Sequence, residues 1–349
     1  MTEEGKNMFN TRRKILLGVI AFLVLWIFVW NYIPIGNGNW NAKELKKIDA
    51  APATNDFCFA VLADNKTGFT AFHRILKDIN SKDYLFAIDV GDLVEDGEKE
   101  KYRIFYNEIQ GLTNPFLVAI GNHDIREKGR AVYYDVFGNF YYSFAHGNSL
   151  FVVLDNANEA SIDEQQINFL KSELAKDYKY KFVFLHVPPF DPRGYTEDIP
   201  KLFGKGGKPE HRMSDQANAQ QFMNIVAEAK VTTVFTSHIH GYFDETNQNV
   251  KYLITGGGGG ELLYTDAKHY FYHYIDTCVS DKGVSYEVVK FPSPDNNTVD
   301  RLSYTAWLYV WYFIVTNRVI IVLSLVVLAL IIDLSIEPIK RFLKRRKNK

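Results

Sequence analysis

Short apolar runs alternate with amphipathic segments through the region that follows the first 55 residues. Runs 57–64, 84–92 and 115–124 are apolar enough to form buried strands, and segments 68–81 and 98–112 repeat apolar residues at helical spacing. This order predicts β-α-β-α-β, the pattern of a layered α/β domain.

The alternation continues further along the chain. Residues 141–156 predict a β-hairpin with its turn at 146–148, and strand-rich sequence returns at 251–291. The irregular stretch 188–214 has the length of a functional or disordered loop. Two more helices, 163–177 and 215–230, and two more strands, 181–189 and 231–241, are predicted between these segments.

Two longer apolar stretches flank this region and predict membrane helices. Residues 15–35 approach the roughly 20 residues that cross a bilayer. They exceed the apolar core of a cleaved signal peptide, and no small-residue cleavage site follows them. The second stretch, 306–336, opens with an aromatic segment typical of a membrane interface. Arg318 leaves two starts open: the helix begins near Val319 with 306–316 along the surface, or it runs from the aromatic segment with Arg318 buried or snorkelling.

The distribution of charge predicts the orientation in the membrane. Four basic residues lie in the first 14 and eight lie from 306 onward, which leaves an excess of about nine acidic residues in 36–305. Positive flanks face the cytoplasm, so both termini are expected inside and 36–305 outside, in periplasm, extracellular space or an organelle lumen. The acidic outer domain argues against a nucleic-acid partner, because phosphate backbones are bound by Lys and Arg.

The chain contains two cysteines, Cys58 and Cys278. Both lie in apolar runs that predict strands, and no Cys-based metal spacing is present. The sequence leaves open whether they are two buried thiols or one disulfide.

These features divide the chain into seven segments. A basic flank and the first membrane helix are followed by a linker and the outer domain, and then by a second linker, the second membrane helix and a basic tail. The predicted bounds are 1–14, 15–35, 36–55, 56–291, 292–305, 306–336 and 337–349.

Side chains that bind metals follow five of the predicted strands. Strand ends meet at one edge of an α/β sheet, so these side chains are expected to converge. Carboxylate, amide and imidazole ligands together suit Mn, Fe or Zn better than Ca. A shared carboxylate can hold two such ions about 3.5–4 Å apart and stabilise both oxygens of a phosphate transfer. The residues are Asp64, Asp92, Asn122, His123, Asp124, His186, His238 and His240.

In this order the residues resemble the calcineurin-like metallophosphoesterase family. The family pattern is D-x-H, G-D-x-x-[DE], G-N-H-[DE], a lone His, and G-H-x-H. The resemblance covers roughly 56–291 and is closest to the purple-acid-phosphatase-like branch. It implies an α/β fold built as a β-sandwich with helices on its outer faces. The two apolar stretches add one N-terminal and one C-terminal transmembrane helix to this fold.

The resemblance also implies a role for each residue. Asp92 bridges two metal ions, Asp64 and His240 bind the first ion, and a metal-activated hydroxide attacks phosphorus. His123 contacts the phosphate and protonates the leaving group, oriented by Asp124. Imidazole suits the role of acid because its pKa lies near neutrality. The ligands of the second ion are Asn122, His186 and His238, and Asn122 is also a substrate contact.

Lys66 departs from the pattern, because the family often has a metal-binding histidine there and a protonated lysine cannot ligate. In one interpretation Glu95 completes the first site, as a tyrosine at that position does in the purple-acid-phosphatase branch, and Lys66 binds the substrate phosphate. In the second, a single ion binds and Lys66 replaces the missing charge. In the third, Lys66 points into solvent and water fills the gap. Ser237, where glycine is usual, is a milder departure that removes little but steric freedom.

Two further stretches are weaker candidates. The long loop could cover the site with Lys205, Lys208, His211 and Arg212, or it could be a solvated surface loop. The glycine run 256–260 predicts a flexible turn between strands, because no lysine or helix start follows it as in a P-loop.

The sequence thus predicts a membrane-anchored, outward-facing hydrolase of phosphate mono- or diesters that uses two ions of Mn, Fe or Zn, or one only. Two flanking membrane helices favour a lipid-linked or envelope-attached substrate over a diffusing nucleotide. The alternative is a single-metal or catalytically silent sensor or scaffold, in which Lys66 marks decay of the site. A nuclease is disfavoured by the acidic domain.

Overall fold

The computed structural model describes residues 3–193, 211–262, 266–294 and 298–347. The chain forms two compact units, residues 35–312 and a smaller unit of residues 1–34 with 313–349. The helices are α1 Glu3–Tyr32, α2 Trp40–Asp49, α3 Phe69–Ile79, α4 Lys99–Ile109, α5 Gly129–Phe137, α6 Glu164–Leu174, α7 Gln216–Glu228 and α8 Thr298–Lys347. The strands are β1 Phe57–Leu62, β2 Phe86–Asp89, β3 Phe116–Val118, β4 Tyr142–His146, β5 Ser149–Val153, β6 Tyr180–Phe184, β7 Thr233–Thr236, β8 Tyr242–Asn247, β9 Val250–Thr255, β10 His273–Ser280 and β11 Gly283–Lys290.

Two mixed sheets form the centre of the larger unit. The first has the order β11-β10-β1-β2-β3, with β1, β2 and β3 parallel. The second has the order β4-β5-β6-β7-β9-β8, in which β5, β6, β7 and β9 are parallel neighbours. The hairpin predicted at 141–156 is present as β4 and β5.

Apolar side chains fill the space between the sheets and under the helices. Phe59 of β1 stacks on Phe86 of β2, with 4.9 Å between ring centroids, and meets Phe182 of β6 edge-on at 5.3 Å. Helices α3 and α4 pack on the outer face of the first sheet, and α6 and α7 pack on that of the second. The predicted β-sandwich with outer helices is therefore confirmed.

The two segments predicted as linkers contain ordered structure that packs on the domain. Within 36–55, helix α2 buries Ile48, and the side chain of Asn41 exchanges two 3.0 Å hydrogen bonds with the backbone of Val118. Within 292–305, α8 already begins at Thr298, and Arg301 is buried. Both segments are polar in sequence and gain their partners only from the folded domain.

Cys58 and Cys278 form a disulfide. They lie opposite each other on β1 and β10, which are antiparallel neighbours. The structure thus decides between the two alternatives that the sequence left open.

The smaller unit contains α1 and the last part of α8. The stretch Val299–Ile336 of α8 is long and apolar enough to cross a membrane. Among the described residues no second stretch meets that criterion, so the N-terminal span stays a prediction although α1 is helical.

Candidate metal centre

The predicted metal ligands lie on loops that leave the carboxyl ends of five strands. Parallel strands β1, β2 and β3 are neighbours in one sheet, and β6 and β7 are neighbours in the other, so their carboxyl ends bring the loops to one edge of the sandwich. Each strand ends two to four residues before its ligand, at Leu62, Asp89, Val118, Phe184 and Thr236.

Five of the predicted metal ligands have side-chain donor atoms close to one another. Ligand atoms of Asp64, Asp92 and His186 all lie within 4.8 Å of one another. Oδ1 of Asn122 is 3.0 Å from Nε2 of His186 and 3.0 Å from Nδ1 of His238. Because the donors approach from both sheets, one ion in this space would bind residues from both halves of the sandwich.

Hydrogen bonds behind the ligands fix which ring nitrogen faces the centre. Nδ1 of His186 lies 2.9 Å from the carbonyl of Val90 and 2.8 Å from Oγ of Ser237, which leaves Nε2 for the centre. Nδ1 of His240 donates to the carbonyl of Glu261 at 2.6 Å, and its Nε2 lies 3.6 Å from Oδ1 of Asp64. Ser237 thus orients a ligand, a role that the sequence did not indicate.

Left-handed backbone positions turn the ligands inward. Asp64, Asp92, His238 and His240 have φ values of 60°, 59°, 70° and 53°. Non-glycine residues with positive φ cost free energy and concentrate at functional sites. Strand β7 ends at Thr236, before the two histidines, and both imidazoles still reach the centre.

The residues present fit a metal ion. Oδ1 of Asp64 is buried, and no hydrogen bond to it is found within the described part of the chain. Burial, and then the charge of Asp92, raises the pKa of Asp64 well above its usual value, so a cation nearby would stabilise its ionised form. A donor set of carboxylates, an amide and imidazoles suits Mn, Fe or Zn.

The comparison with known proteins agrees with this arrangement. The protein-family model described as "Calcineurin-like phosphoesterase" matches residues 58–242, which is more than half of the chain. The chain belongs to the calcineurin-like phosphoesterase family.

Similar proteins include purple acid phosphatases. Purple acid phosphatase 22 of Arabidopsis thaliana is 26% identical over 216 residues, which cover 55% of this chain and 46% of that protein. The structure of purple acid phosphatase PPD1 from yellow lupin (Lupinus luteus) seeds superposes with a TM-score of 0.51 at 15% identity, over 72% of this chain and 55% of that one. The structure of PhoD superposes with a TM-score of 0.50 at 12% identity, over 76% and 79%. The structural likenesses show a common fold, and the chain spans about half the length of the two purple acid phosphatases.

Lys66 of this calcineurin-like domain is buried in the site, with only 4% of its surface exposed. Its Nζ lies 2.8 Å from Nε2 of His123, 3.5 Å from Oε1 of Glu261 and 3.7 Å from Oδ2 of Asp92. Burial opposes the charged form, but the charges of Asp92 and then Glu261 raise the pKa of Lys66, so it remains an ammonium. The interpretation in which Lys66 points into solvent is therefore wrong.

Glu261 is a site residue that sequence reasoning missed. It pairs with Lys66, and its Oε2 lies 3.4 Å from Oγ1 of Thr67. Burial opposes its ionisation, but the charges of His240 and Lys66 lower its pKa. The only signal was its place directly after the glycine run, which brings the backbone close to Asp64.

His123 is held differently from the expectation. Its Nδ1 donates to the carbonyl of Glu95 at 2.7 Å, and its Nε2 lies 2.9 Å from a guanidinium nitrogen of Arg126. The carboxylate of Asp124 does not orient the ring; it accepts from the backbone N–H groups of Asp92, Val94 and Gly121 at 2.7–3.1 Å. Burial, reinforced by the charge of Lys66, lowers the pKa of His123.

Glu95 lies apart from the other predicted ligands. Its Oε2 is 3.7 Å from Nδ1 of His123, whereas Asp92 and Lys66 face Nε2 on the other edge of the ring. The cluster of ligand atoms within 4.8 Å does not include it. Burial raises the pKa of Glu95 to about 7. The ammonium of Lys66 thus lies 3.7 Å from Asp92, whereas Glu95 lies at the other edge of the His123 ring, and its role as a ligand stays a prediction.

The glycine run is a packed segment and not the flexible turn that the sequence predicted. Gly258 and Gly260 donate backbone hydrogen bonds to the carbonyls of Ala63 and Asp64 at 2.7 and 2.8 Å. A Cβ at Gly68 would lie 1.7 Å from the carbonyl oxygen of Gly259. Glycine is required here because the two backbones touch, and this contact fixes the Asp64 loop.

Part of the long loop also reaches the centre. Residues 194–210, with the predicted Lys205 and Lys208, lie outside the described residues. The ring centroid of His211 lies 5.3 Å from that of His238. The end of the loop therefore borders the metal ligands.

Proposed function

We propose that the chain is a membrane-anchored, outward-facing metal-dependent phosphoesterase that hydrolyses a phosphate mono- or diester. The observation that carries the proposal is that a cluster of metal-binding side chains lies next to a cluster of cationic side chains. A set of metal donors around Asp92 and Asn122 adjoins a set of cationic donors, Lys66 and Arg126, that converge on Nε2 of His123. A metal ion and cationic hydrogen-bond donors each stabilise the charge that develops when a phosphate ester is hydrolysed.

The proposed centre holds one metal ion. Its ligands would come from the five side chains that meet, Asp64, Asp92, Asn122, His186 and His238. The ion, Mn, Fe or Zn, would supply activation of water and charge neutralisation. This differs from the two ions expected from the resemblance.

Lys66 supplies the second positive charge of the site. Asp92 and Glu261 flank its ammonium, so it sits beside the carboxylate that the resemblance assigned as a bridge between two ions. A buried charge needs such partners, and both are within 3.7 Å. An ammonium there takes part of the role of a second cation without any further ligand.

Two cationic side chains, Lys66 and Arg126, bind the ester, and His123 protonates it. The ammonium and the guanidinium donate to the non-bridging phosphate oxygens. Once Lys66 and Arg126 turn from Nε2 of His123 to the phosphate, Nε2 takes up a proton from water and gives it to the leaving oxygen. Nδ1 stays bonded to the carbonyl of Glu95 throughout. Asp124 positions the loops of Asp92 and Gly121 through its backbone contacts.

The outward orientation is supported by covalent chemistry and charge. A disulfide such as that between Cys58 and Cys278 persists in oxidising compartments and is rare in the cytosol. The basic tail after α8 is the flank expected on the cytoplasmic side.

Turnover of soluble esters by the purified full chain tests the proposal. Hydrolysis of p-nitrophenyl phosphate or bis(p-nitrophenyl) phosphate should disappear on chelation and return with Mn, Fe or Zn. His238→Ala should abolish it, whereas His73→Ala, at an exposed helix position, should not. Absence of metal-dependent turnover of both esters would instead favour a silent sensor or scaffold.

A further inference from the structure

The first turns of α8 pack against the catalytic domain. Residues 298–312 belong to the same compact unit as the metal centre. A guanidinium nitrogen of Arg301 donates to the carbonyl of Tyr270 at 2.9 Å, and the ring of Tyr304 lies against that of Tyr272. Leu308 and Tyr312 are buried. The start of the stretch that is long and apolar enough to cross a membrane is therefore a structural part of the domain.

This segment reaches the charged residues of the site. The ring of Tyr312 stacks on Phe69, with centroids 5.7 Å apart and planes at 11°, and Phe69 begins α3 directly after the loop that carries Asp64 and Lys66. The hydroxyl of Tyr309 lies close enough to the carboxylate of Glu261 to interact with its charge. A chain of contacts thus runs from Tyr309 through Glu261 and Lys66 to His123.

Large side chains of the same turns face outward. The rings of Trp307 and Trp311 stack with centroids 6.1 Å apart, and 55% and 37% of their surfaces are exposed. Val310 between them is 49% exposed. Tryptophan pairs an apolar ring with one polar N–H, and it is enriched where a membrane helix passes the headgroup layer. Adjacent exposed apolar side chains mark a contact surface.

We propose that the substrate is a phosphate ester of a membrane lipid, presented to the site from the headgroup layer, with Tyr309 as a positioning residue at the rim. This rests on the proposed phosphoesterase activity. One short helical segment packs on Phe69, beside the loop of Lys66, and also carries the exposed tryptophans. The site therefore lies within a few helical turns of the level where lipid phosphates are found. A lipid phosphate then reaches Lys66 and Arg126 without leaving the membrane surface.

The test uses the full chain reconstituted in phosphatidylcholine vesicles that contain either phosphatidic acid as a monoester or phosphatidylglycerol as a diester. Release of inorganic phosphate or of glycerol phosphate is compared with that from short-chain, water-soluble analogues of the same headgroups. We expect kcat/KM to be about 10-fold higher or more for one of the vesicle lipids, because the membrane raises the effective concentration at the site.

Variants separate membrane presentation from chemistry. The double variant Trp307→Ser, Trp311→Ser should lower turnover of the vesicle lipid by about 10-fold and leave turnover of bis(p-nitrophenyl) phosphate unchanged. If the nitrophenyl ester is hydrolysed but neither vesicle lipid exceeds its soluble analogue, the lipid inference is overturned and the phosphoesterase stands. If no ester of any kind is hydrolysed, both are overturned.

Discussion

The ammonium of Lys66 and the carboxylate of Glu261 form an ion pair inside the candidate site, with 3.5 Å between Nζ and Oε1. The two residues are far apart in the chain, and the glycine run brings them together by packing against the Asp64 loop. Lys66 thereby keeps its charge next to Asp92, where the family pattern leads one to expect a metal-binding histidine.

Replacing Lys66 should impair catalysis more than folding. We expect Lys66→Gln to lower kcat on the nitrophenyl esters by about 100-fold, because a positive charge aimed at the phosphate is lost. The measurement is steady-state kinetics with the thermal midpoint recorded in parallel. Lys176→Gln, which removes a half-exposed lysine paired with Glu173, is the matched control. Equal kcat values for the two variants would remove Lys66 from the mechanism.

Adding a side chain at Gly68, where two backbones touch, should destabilise the loop that carries Asp64. Gly68→Ala would place a methyl group 1.7 Å from the carbonyl oxygen of Gly259, and we expect a loss of about 2 kcal/mol or more in the free energy of unfolding. Gly111→Ala meets no atom within 4 Å and should change stability little. Thermal unfolding of both variants checks this, and a stable Gly68→Ala protein would contradict the packed glycine run.

A buried histidine outside the site should make stability depend on pH. His273 bonds to the carbonyl of Phe271 and to Thr255, and burial, with the charge of Lys290, lowers its pKa to about 4. The unfolded chain binds this proton near its ordinary pKa of 6.5, so stability is full above that pH and declines as the pH falls towards 4. This contribution amounts to about 2 kcal/mol between pH 7 and pH 5.

The contribution of His273 is measured as the change in thermal midpoint between pH 7 and pH 5. It should be smaller in His273→Asn than in the wild-type chain, since asparagine cannot take up the proton. His73→Asn, at an exposed position, should behave like the wild type. Identical pH dependence in all three proteins would mean that His273 does not contribute.

Removing the hydroxyl of Tyr309 should weaken the site without dismantling the helix. Tyr309→Phe keeps the ring and loses the interaction of the hydroxyl with Glu261, so we expect kcat to fall about 5- to 10-fold with little change in KM. Tyr304→Phe, on the same helix but packed on Tyr272, is the control. A change in thermal midpoint with unaltered kcat would reduce Tyr309 to a structural role.

The sequence predicted the parts of this molecule that depend on local pattern. Apolar runs located the core strands, and the polar residues after them located Asp64, Asp92, Asn122, His186 and His238, because strand ends share one edge of a sheet. The helix α2 was missed because its sequence is mostly polar and it is held by contacts such as that of Asn41 with Val118.

The residues that surround the metal ligands and Lys66 could not be found from the pattern of apolar runs and strand ends. Glu261 approaches Lys66, and Tyr309 approaches Glu261, only through packing between distant segments, and neither stands in a motif. Glu95 was assigned a ligand role from its motif position, and that role stays a prediction, because its carboxylate lies beside Nδ1 of His123 and away from Asp92. The direction in which a side chain points depends on tertiary contacts, and the spacing of residues in a sequence motif does not specify those contacts.

The metal-to-protein ratio tests the central claim most directly. Elemental analysis of the full chain, beside Lys66→His and Glu95→Ala, should give one ion in the wild type and in Glu95→Ala, and two ions in Lys66→His, where an imidazole replaces the ammonium. Two ions in the wild type that fall to one in Glu95→Ala would contradict the account and make Glu95, rather than Lys66, the substitute for the missing histidine.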